Sequence, residues 1–229
     1  AGLGKGFVQV LEPQVRELVD EHMDAVLAAR EVDWMDAFAF QIPIALTLDI
    51  LSIPRDDAMK AKGWADQAIS LLSGVNTKRG MLWKVLNGFR FYDWCKKRFE
   101  EAQARDPKPG FMMGALIDAV AEGKMSSGEA TATVMQIIIA GSDSSASLMG
   151  SMVRLLAQNP RVQEELRASP ELVPNFVEEV LRLESPFQGH FRKAKVPLEM
   201  HGQKLKENDR IMLLRAAGNR DPRKWDKPD

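Results

Sequence analysis

Cysteine is almost absent: the 229 residues hold one, Cys95. A lone thiol excludes an internal disulfide and points to a reducing compartment, so a cytoplasmic location is expected. Histidine is scarce too, three in all, and no two share the spacing of a metal-binding pair; no separate metal site is expected. Long apolar runs are missing. The nearest approach, Ala37 to Leu51, is broken by Gln41, Pro43 and Asp49, and falls short of the roughly 18 residues a membrane span needs. Neither sign of charge is in excess, the formal net charge being −1. That balance gives no reason to expect nucleic acid or an anionic membrane as partner. The basic clusters Lys96-Lys97-Arg98 and Arg220 to Lys227 sit among acids and read as solvated faces. A signal peptide and an initiator Met are both lacking. From Ala1 to Asp229 the chain reads as cut at both ends, which leaves room for a lost N-terminal anchor.

What the chain does have is helical periodicity. At 229 residues and 45% hydrophobic content the chain is long enough for one large core or two small ones, and it is read as a single domain over 1–229. Pro13 to Arg30 spaces Val15, Leu18, Val19, His22, Met23, Val26 and Leu27 along one helical face. Asp36 to Leu51 is apolar nearly all round and should be buried. A third helix is expected over about Asp57 to Ser73, its acids in the favourable first turn. Gly74 to Gly80 reads as a polar loop. A long helix from Met81 to about Ala104 follows, with Trp83, Phe89, Phe91, Tyr92, Trp94 and Phe99 as a packing stripe. After the Pro- and Gly-rich linker 106–110, short helices are expected over Phe111 to Glu122, Pro160 to Ala168 and Pro174 to Leu183. Beyond Ser185 the pattern turns to short alternating strands around the turn His201-Gly202, then to irregular coil from Asn219.

The stretch that organises the rest lies inside the longest pattern, Ser127 to Gln158. It opens with the capping box Ser126-Ser127-Gly128-Glu129 and closes at Asn159-Pro160. About 30 residues at 1.5 Å each give a helix of roughly 45 Å, the width of a domain. Its middle breaks helix preference: Gly141 to Ser147 holds one glycine, four serines and an aspartate. A central helix that violates its own local rules usually does so at a working site.

Other landmarks are ordinary taken singly. Glu179 and Arg182 share a helical face; Phe191-Arg192-x-Ala194 and Asn219-Arg220-Asp221-Pro222 follow. In this order after Ala140-Gly141-Ser142-Asp143-Ser144-Ser145, they make the chain resemble the cytochrome P450 family of haem-thiolate monooxygenases, in its soluble bacterial form. The resemblance runs from the middle of the family's domain to just past its K helix. It implies a mainly α fold, the D to K helix portion of the P450 fold, with a small β element near the C-terminus.

The resemblance also implies roles. Ala140 and Gly141 would be small so that dioxygen and substrate can approach the helix backbone beside the haem. Asp143 and Ser144 would be the acid–alcohol pair that relays protons during oxygen activation. Most relatives carry threonine where Ser144 stands, and serine lacks the methyl that restricts χ1. Glu179 and Arg182 match the structural K-helix pair. Arg192 matches the arginine that binds a haem propionate, and His190 approaches the same group or lines the pocket. Gln136, Ile139, Phe187, Gln188 and Gly189 would contact substrate, under a lid of about Ala68 to Trp83. The implied cofactor is haem (heme, iron protoporphyrin IX). The implied partners are O2, a hydrophobic small-molecule substrate, and a ferredoxin- or flavin-type redox partner that passes electrons from NAD(P)H. One family feature is missing, the loop Phe-x-x-Gly-x-x-x-Cys-x-Gly whose thiolate ligates the iron. Cys95 sits within the fourth helix and reads as a cysteine without redox role, so residues 1–229 alone are expected to be inactive. The alternatives are a non-catalytic helical interaction domain and a small-molecule-binding regulator without haem.

Overall fold

The computed structural model describes residues 5–72 and 77–228. They form α1 (Lys5–Ala28), a π-helical turn (Met35–Ala39), α2 (Gln41–Ile50), a 3-10 turn (Arg55–Asp57), α3 (Ala58–Leu72), α4 (Lys78–Gln103) and α5 (Phe111–Ala121). Then come α6 (Ser127–Gln158), α7 (Pro160–Ala168) and α8 (Val173–Glu184). Four strands, β1 (Gly189–Lys193), β2 (Leu198–Met200), β3 (Gln203–Leu205) and β4 (Arg210–Leu214), precede a short α9 (Arg215–Asn219). The fold is mainly α with a small β element, as the sequence indicates. By internal contacts it divides into two compact units, Ala1–Ala146 and Ser147–Asp229.

In the first unit the core joins α2 to α6. Ile44, Leu48, Leu51, Phe91, Phe99, Met113, Val134 and Ile138 are all buried in one cluster. α2 is buried nearly all round, as its composition requires, but it begins later than expected. At Phe40 the chain is still in the wide turn, its N–H donating to Met35 O at 2.8 Å. That turn stacks Trp34 on Phe38 with ring centroids 4.4 Å apart. α1 likewise starts before the expected Pro13, which sits exposed within the helix. The third helix is α3 with its 3-10 lead-in, and the expected loop 74–80 lies partly outside the described residues, with helix resuming at Lys78.

α4 splits the expected aromatic stripe. Phe91, Trp94 and Phe99 are buried, whereas Trp83 is 58% and Phe89 65% exposed. Trp94 Nε1 and Arg98 Nη2 donate to the Asp57 carboxylate at 3.1 and 2.8 Å, which ties α4 to the start of α3. α6 keeps its expected bounds. Ser126 N donates to Glu129 Oε2 at 2.8 Å and Glu129 N to Ser126 Oγ at 3.2 Å, the reciprocal cap that satisfies two otherwise orphaned donors.

In the second unit, β1 pairs antiparallel with β4, Gly189 opposite Leu214 and Lys193 opposite Arg210. β2 and β3 make a separate hairpin around the expected turn His201-Gly202. His201 (φ 48°) and Gly202 (φ 78°) both adopt the left-handed backbone that such a tight turn requires. β1 begins two residues earlier than Phe191, the residue at which the alternating pattern opens.

Candidate functional site

The odd composition at the middle of α6 resolves into two faces. Ala130, Val134, Ile138, Ser142 and Ala146 recur every four residues and are buried. Gln136, Ala140 and Ser144, with the same spacing on another line, are exposed. The hydroxyls do not break the helix because they bond back to it. Ser142 Oγ donates to Ile138 O at 3.0 Å and Ser144 Oγ to Ala140 O at 2.9 Å. Such bonds to the carbonyl four residues earlier let serine sit within a helix at the cost of a slight bend. Asp143 and Ile139 are half-buried between the two lines. The structure therefore brings Gln136, Ile139, Ala140, Asp143 and Ser144 together on one stretch of helix whose outer side is open and small. An acid, a hydroxyl with free lone pairs and a low-profile backbone stand side by side there.

Gly141 has a packing partner that sequence reasoning did not name. A Cβ built on it would lie 2.6 Å from Thr47 Oγ1 and 3.4 Å from Thr47 Cγ2. This close approach to α2, within the packed interior, by itself demands glycine here.

The remaining landmarks lie in the second unit. Arg182 is 8% exposed, and its guanidinium is fully engaged. Nε and Nη2 donate to the two Glu179 carboxylate oxygens at 2.8 and 2.7 Å. Nη1 donates to Asn219 O at 2.8 Å and Pro228 O at 3.1 Å, and Nη2 to Lys227 O at 3.2 Å. The Trp225 ring lies 5.0 Å from the guanidinium carbon. Arg182, through hydrogen bonding first, holds the Glu179 carboxyl below the usual glutamate range. The motif Asn219-Arg220-Asp221-Pro222 acquires a role that sequence reasoning left open. Asn219 Nδ2 donates to Ser185 Oγ at 2.9 Å, and Arg220 Nε and Nη2 donate to Leu183 O at 3.1 and 3.0 Å. These bonds satisfy groups at the C-terminal end of α8, where Ser185 takes a left-handed conformation (φ 41°). The signal was the motif itself; its partners were invisible without the fold.

Along β1, Phe187, Gln188, Gly189, His190 and Arg192 are brought together. Gly189 has a packing reason to be glycine, since a Cβ would lie 2.7 Å from Leu213 O across the ribbon. Phe187 is 57% exposed, and its ring centroid is 6.1 Å from that of His190. Arg215 stands over the same phenylalanine ring at 5.6 Å. Arg192 is exposed and donates to the adjacent Phe191 O at 3.1 Å. Both ring nitrogens of His190 are shielded from solvent without a hydrogen-bond partner. Desolvation, then the charges of Arg192 and Arg215, hold His190 below the ordinary histidine range.

Two cations beside an orphaned imidazole fit an anionic group such as a haem propionate, whose negative charge would satisfy all three. The iron ligand has no such fit. Cys95 is wholly buried in α4 among the packed side chains of the core, and desolvation pushes its thiol up to about 12. Among the described residues no cluster of three His, Cys, Asp or Glu side chains is placed to hold a metal ion, and no helix is long and apolar enough to cross a membrane.

Known proteins resemble this chain in sequence and in fold. Cytochrome P450 144 of Mycobacterium tuberculosis is 32% identical over 202 residues, which cover 86% of this chain and 45% of that protein. The biotin biosynthesis cytochrome P450 of Bacillus subtilis is 26% identical, over 95% of this chain and 55% of its own length. The chain thus spans about half the length of the curated relatives it matches. Among solved structures, P450BioI in complex with an acyl carrier protein ligated to hexadec-9Z-enoic acid superposes with a TM-score of 0.92 at 24% identity. That likeness covers all of this chain and 59% of its own. CalO2 superposes at 0.89 with 28% identity, over 99% of this chain and 56% of its own. The family model described as Cytochrome P450 matches residues 92–229, more than half of the sequence. With that match, and with the landmarks of α6, α8 and β1 in place, the chain belongs to the cytochrome P450 family.

Proposed function

We propose that the chain is part of a single P450 domain of a haem-dependent monooxygenase, one that inserts an oxygen atom from O2 into a hydrophobic small molecule. The observation that carries the reading is the middle of α6, where exposed Ala140 and Ser144 stand beside half-buried Asp143 on a helix whose opposite side is buried. When bound, haem would supply the one-electron and O2 chemistry that amino-acid side chains lack. The chain's own residues do the rest. Arg192 and His190 would hold a propionate by charge and hydrogen bonding. Ala140 keeps the helix surface low. Asp143 takes protons from solvent and passes them to the Ser144 hydroxyl, which can donate in turn by releasing its bond to Ala140 O. Glu179 and Arg182 hold the second unit's C-terminal segment and touch neither cofactor nor substrate.

Gln136 and Ile139 of the first unit, and Phe187, Gln188 and Gly189 of the second, are each proposed as substrate contacts. Their mixture of aliphatic, aromatic and amide groups suits an apolar molecule with a polar handle. The relative crystallised with an acyl carrier protein bearing an unsaturated fatty acid makes a lipid-like substrate, free or carrier-bound, the class to try first. Electrons are proposed to come from NAD(P)H through a ferredoxin- or flavin-type partner, in the cytoplasm. Because Cys95 lies within the packed core, residues 1–229 alone are proposed to be inactive, and a thiolate for the iron would have to be supplied from outside them.

The test is the absorption spectrum of the polypeptide with haem, reduced and exposed to carbon monoxide. A thiolate-type, strongly red-shifted Soret band from the longer polypeptide, with none from residues 1–229, is the expected result. A histidine-type or free-haem spectrum from the longer polypeptide would sink the reading. In that polypeptide Asp143→Asn should slow turnover about 10- to 100-fold while substrate affinity stays nearly constant. Equal losses in both would remove Asp143 from proton transfer.

A further inference from the structure

We propose that Thr47, on α2, is a positioning residue for the Asp143–Ser144 segment of α6, acting through the missing side chain of Gly141. The proposal deepens the monooxygenase reading and rests on it for the role of Asp143 and Ser144; the seat itself is independent of haem.

Thr47 is 6% exposed, and its hydroxyl donates to Pro43 O at 2.7 Å. That bond pins χ1, which is already restricted by branching at Cβ. Its neighbours Ile44 and Leu48 are fully buried, so the wall behind Thr47 has no room to retreat. Against this fixed side chain α6 lays the bare Cα of Gly141. Any Cβ there would fall 2.6 Å from Oγ1, 3.4 Å from Cγ2 and 3.6 Å from Cβ of Thr47. The first of these is far inside contact distance, and the last is ordinary contact. Ser142, the next residue, is also buried, its hydroxyl returned to Ile138 O. The helix is thus located at 141–142 by a hard stop on its inner side, half a turn to one turn before Asp143 and Ser144. The depth of that stop decides how far these two side chains project on the outer side.

One atom, Thr47 Oγ1, carries the conflict. Gly141→Ala alone should push α6 outward: thermal unfolding falls by several degrees, and the backbone amide resonances of 140–146 shift. Thr47→Ala removes Oγ1 and Cγ2 and leaves the 3.6 Å contact. The double variant Thr47→Ala/Gly141→Ala should therefore recover most of the melting temperature and return the Asp143 and Ser144 amides toward wild-type positions. Thr47→Ser keeps Oγ1 and should rescue nothing. Amide NMR and thermal melts of the 229-residue chain read all of this without haem.

Failure of Thr47→Ala to rescue Gly141→Ala would overturn the proposal, as would rescue by Thr47→Ser. So would shifts spread equally through α4 and α5, which would mark a general loss of packing. In the haem-containing polypeptide the same series should change product formed per O2 consumed two-fold or more, while the substrate dissociation constant stays constant. If the amides move and this ratio does not, the seat stands and the proton-transfer reading of Asp143 and Ser144 falls.

Discussion

Replacing Arg182 with lysine keeps the charge and should still destabilise the second unit. The guanidinium has five N–H donors, and five acceptors meet them: two carboxylate oxygens of Glu179 and the carbonyls of Asn219, Lys227 and Pro228. An ammonium has three donors and no planar fork, so at least two of these bonds are lost. At the net worth of about 1 to 1.5 kcal/mol for a typical hydrogen bond, Arg182→Lys should cost roughly 2–3 kcal/mol. Arg182→Met removes every donor from a site that is 8% exposed, and should cost roughly 3–5 kcal/mol. Glu179 is the lesser partner. Its side chain is 53% exposed, so solvent screens the pair, and Glu179→Gln should cost about 1 kcal/mol or less. The expected order is thus Met, then Lys at 182, then Gln at 179. Urea unfolding measures the three costs, and hydrogen exchange at the amides of 219–228 localises them. A lysine variant within 0.5 kcal/mol of wild type, or a glutamine variant costlier than the lysine one, would refute the view that Arg182 acts chiefly as an anchor for main-chain carbonyls.

Other consequences can be checked on the same chain. Because Arg182 lowers the Glu179 pKa, the pair's contribution is complete above the unfolded glutamate value and is lost as pH falls through the lowered one; unfolding midpoints should drop below about pH 4, and Glu179→Gln should flatten that limb. Cys95, buried with its thiol pushed up to about 12, should resist alkylation at pH 8.5 in the folded chain and react at once in denaturant; rapid reaction under native conditions would refute its burial. His190 should titrate below free histidine in NMR, and Arg192→Gln or Arg215→Gln should each raise its pKa; a pKa that ignores both substitutions would separate the three groups.

Much of this was legible in the sequence, and what was not has physical causes. The limits of α6 were readable because both of its end signals are local: Ser126 with Glu129 at one end, Asn159-Pro160 at the other. The hairpin around His201-Gly202 was readable for the same reason. α1 was misjudged because proline was read as a helix start, although an exposed proline can ride within a helix at the loss of one bond. The break at Phe40 was hidden, since a wide turn and a regular helix share one apolar pattern. Gly141 stood out in the sequence as a place where dioxygen or substrate could approach; its packing partner, Thr47, lies 94 positions away by number and could be named only from the fold. Trp83 and Phe89 joined the aromatic stripe on paper because spacing says which residues share a helix and not which stretch of it is covered.

Arg182 takes hold of three main-chain oxygens, and a peptide carbonyl is the same whatever side chain its residue bears. Residues 227 and 228 are therefore free to drift in identity over evolutionary time as long as the backbone keeps its path. Insertions or deletions between 219 and 228 are not, because they shift the register of carbonyls against a guanidinium that cannot follow. A library randomising residues 227 and 228 should yield mostly folded proteins, and one varying the length of 219–228 should yield few.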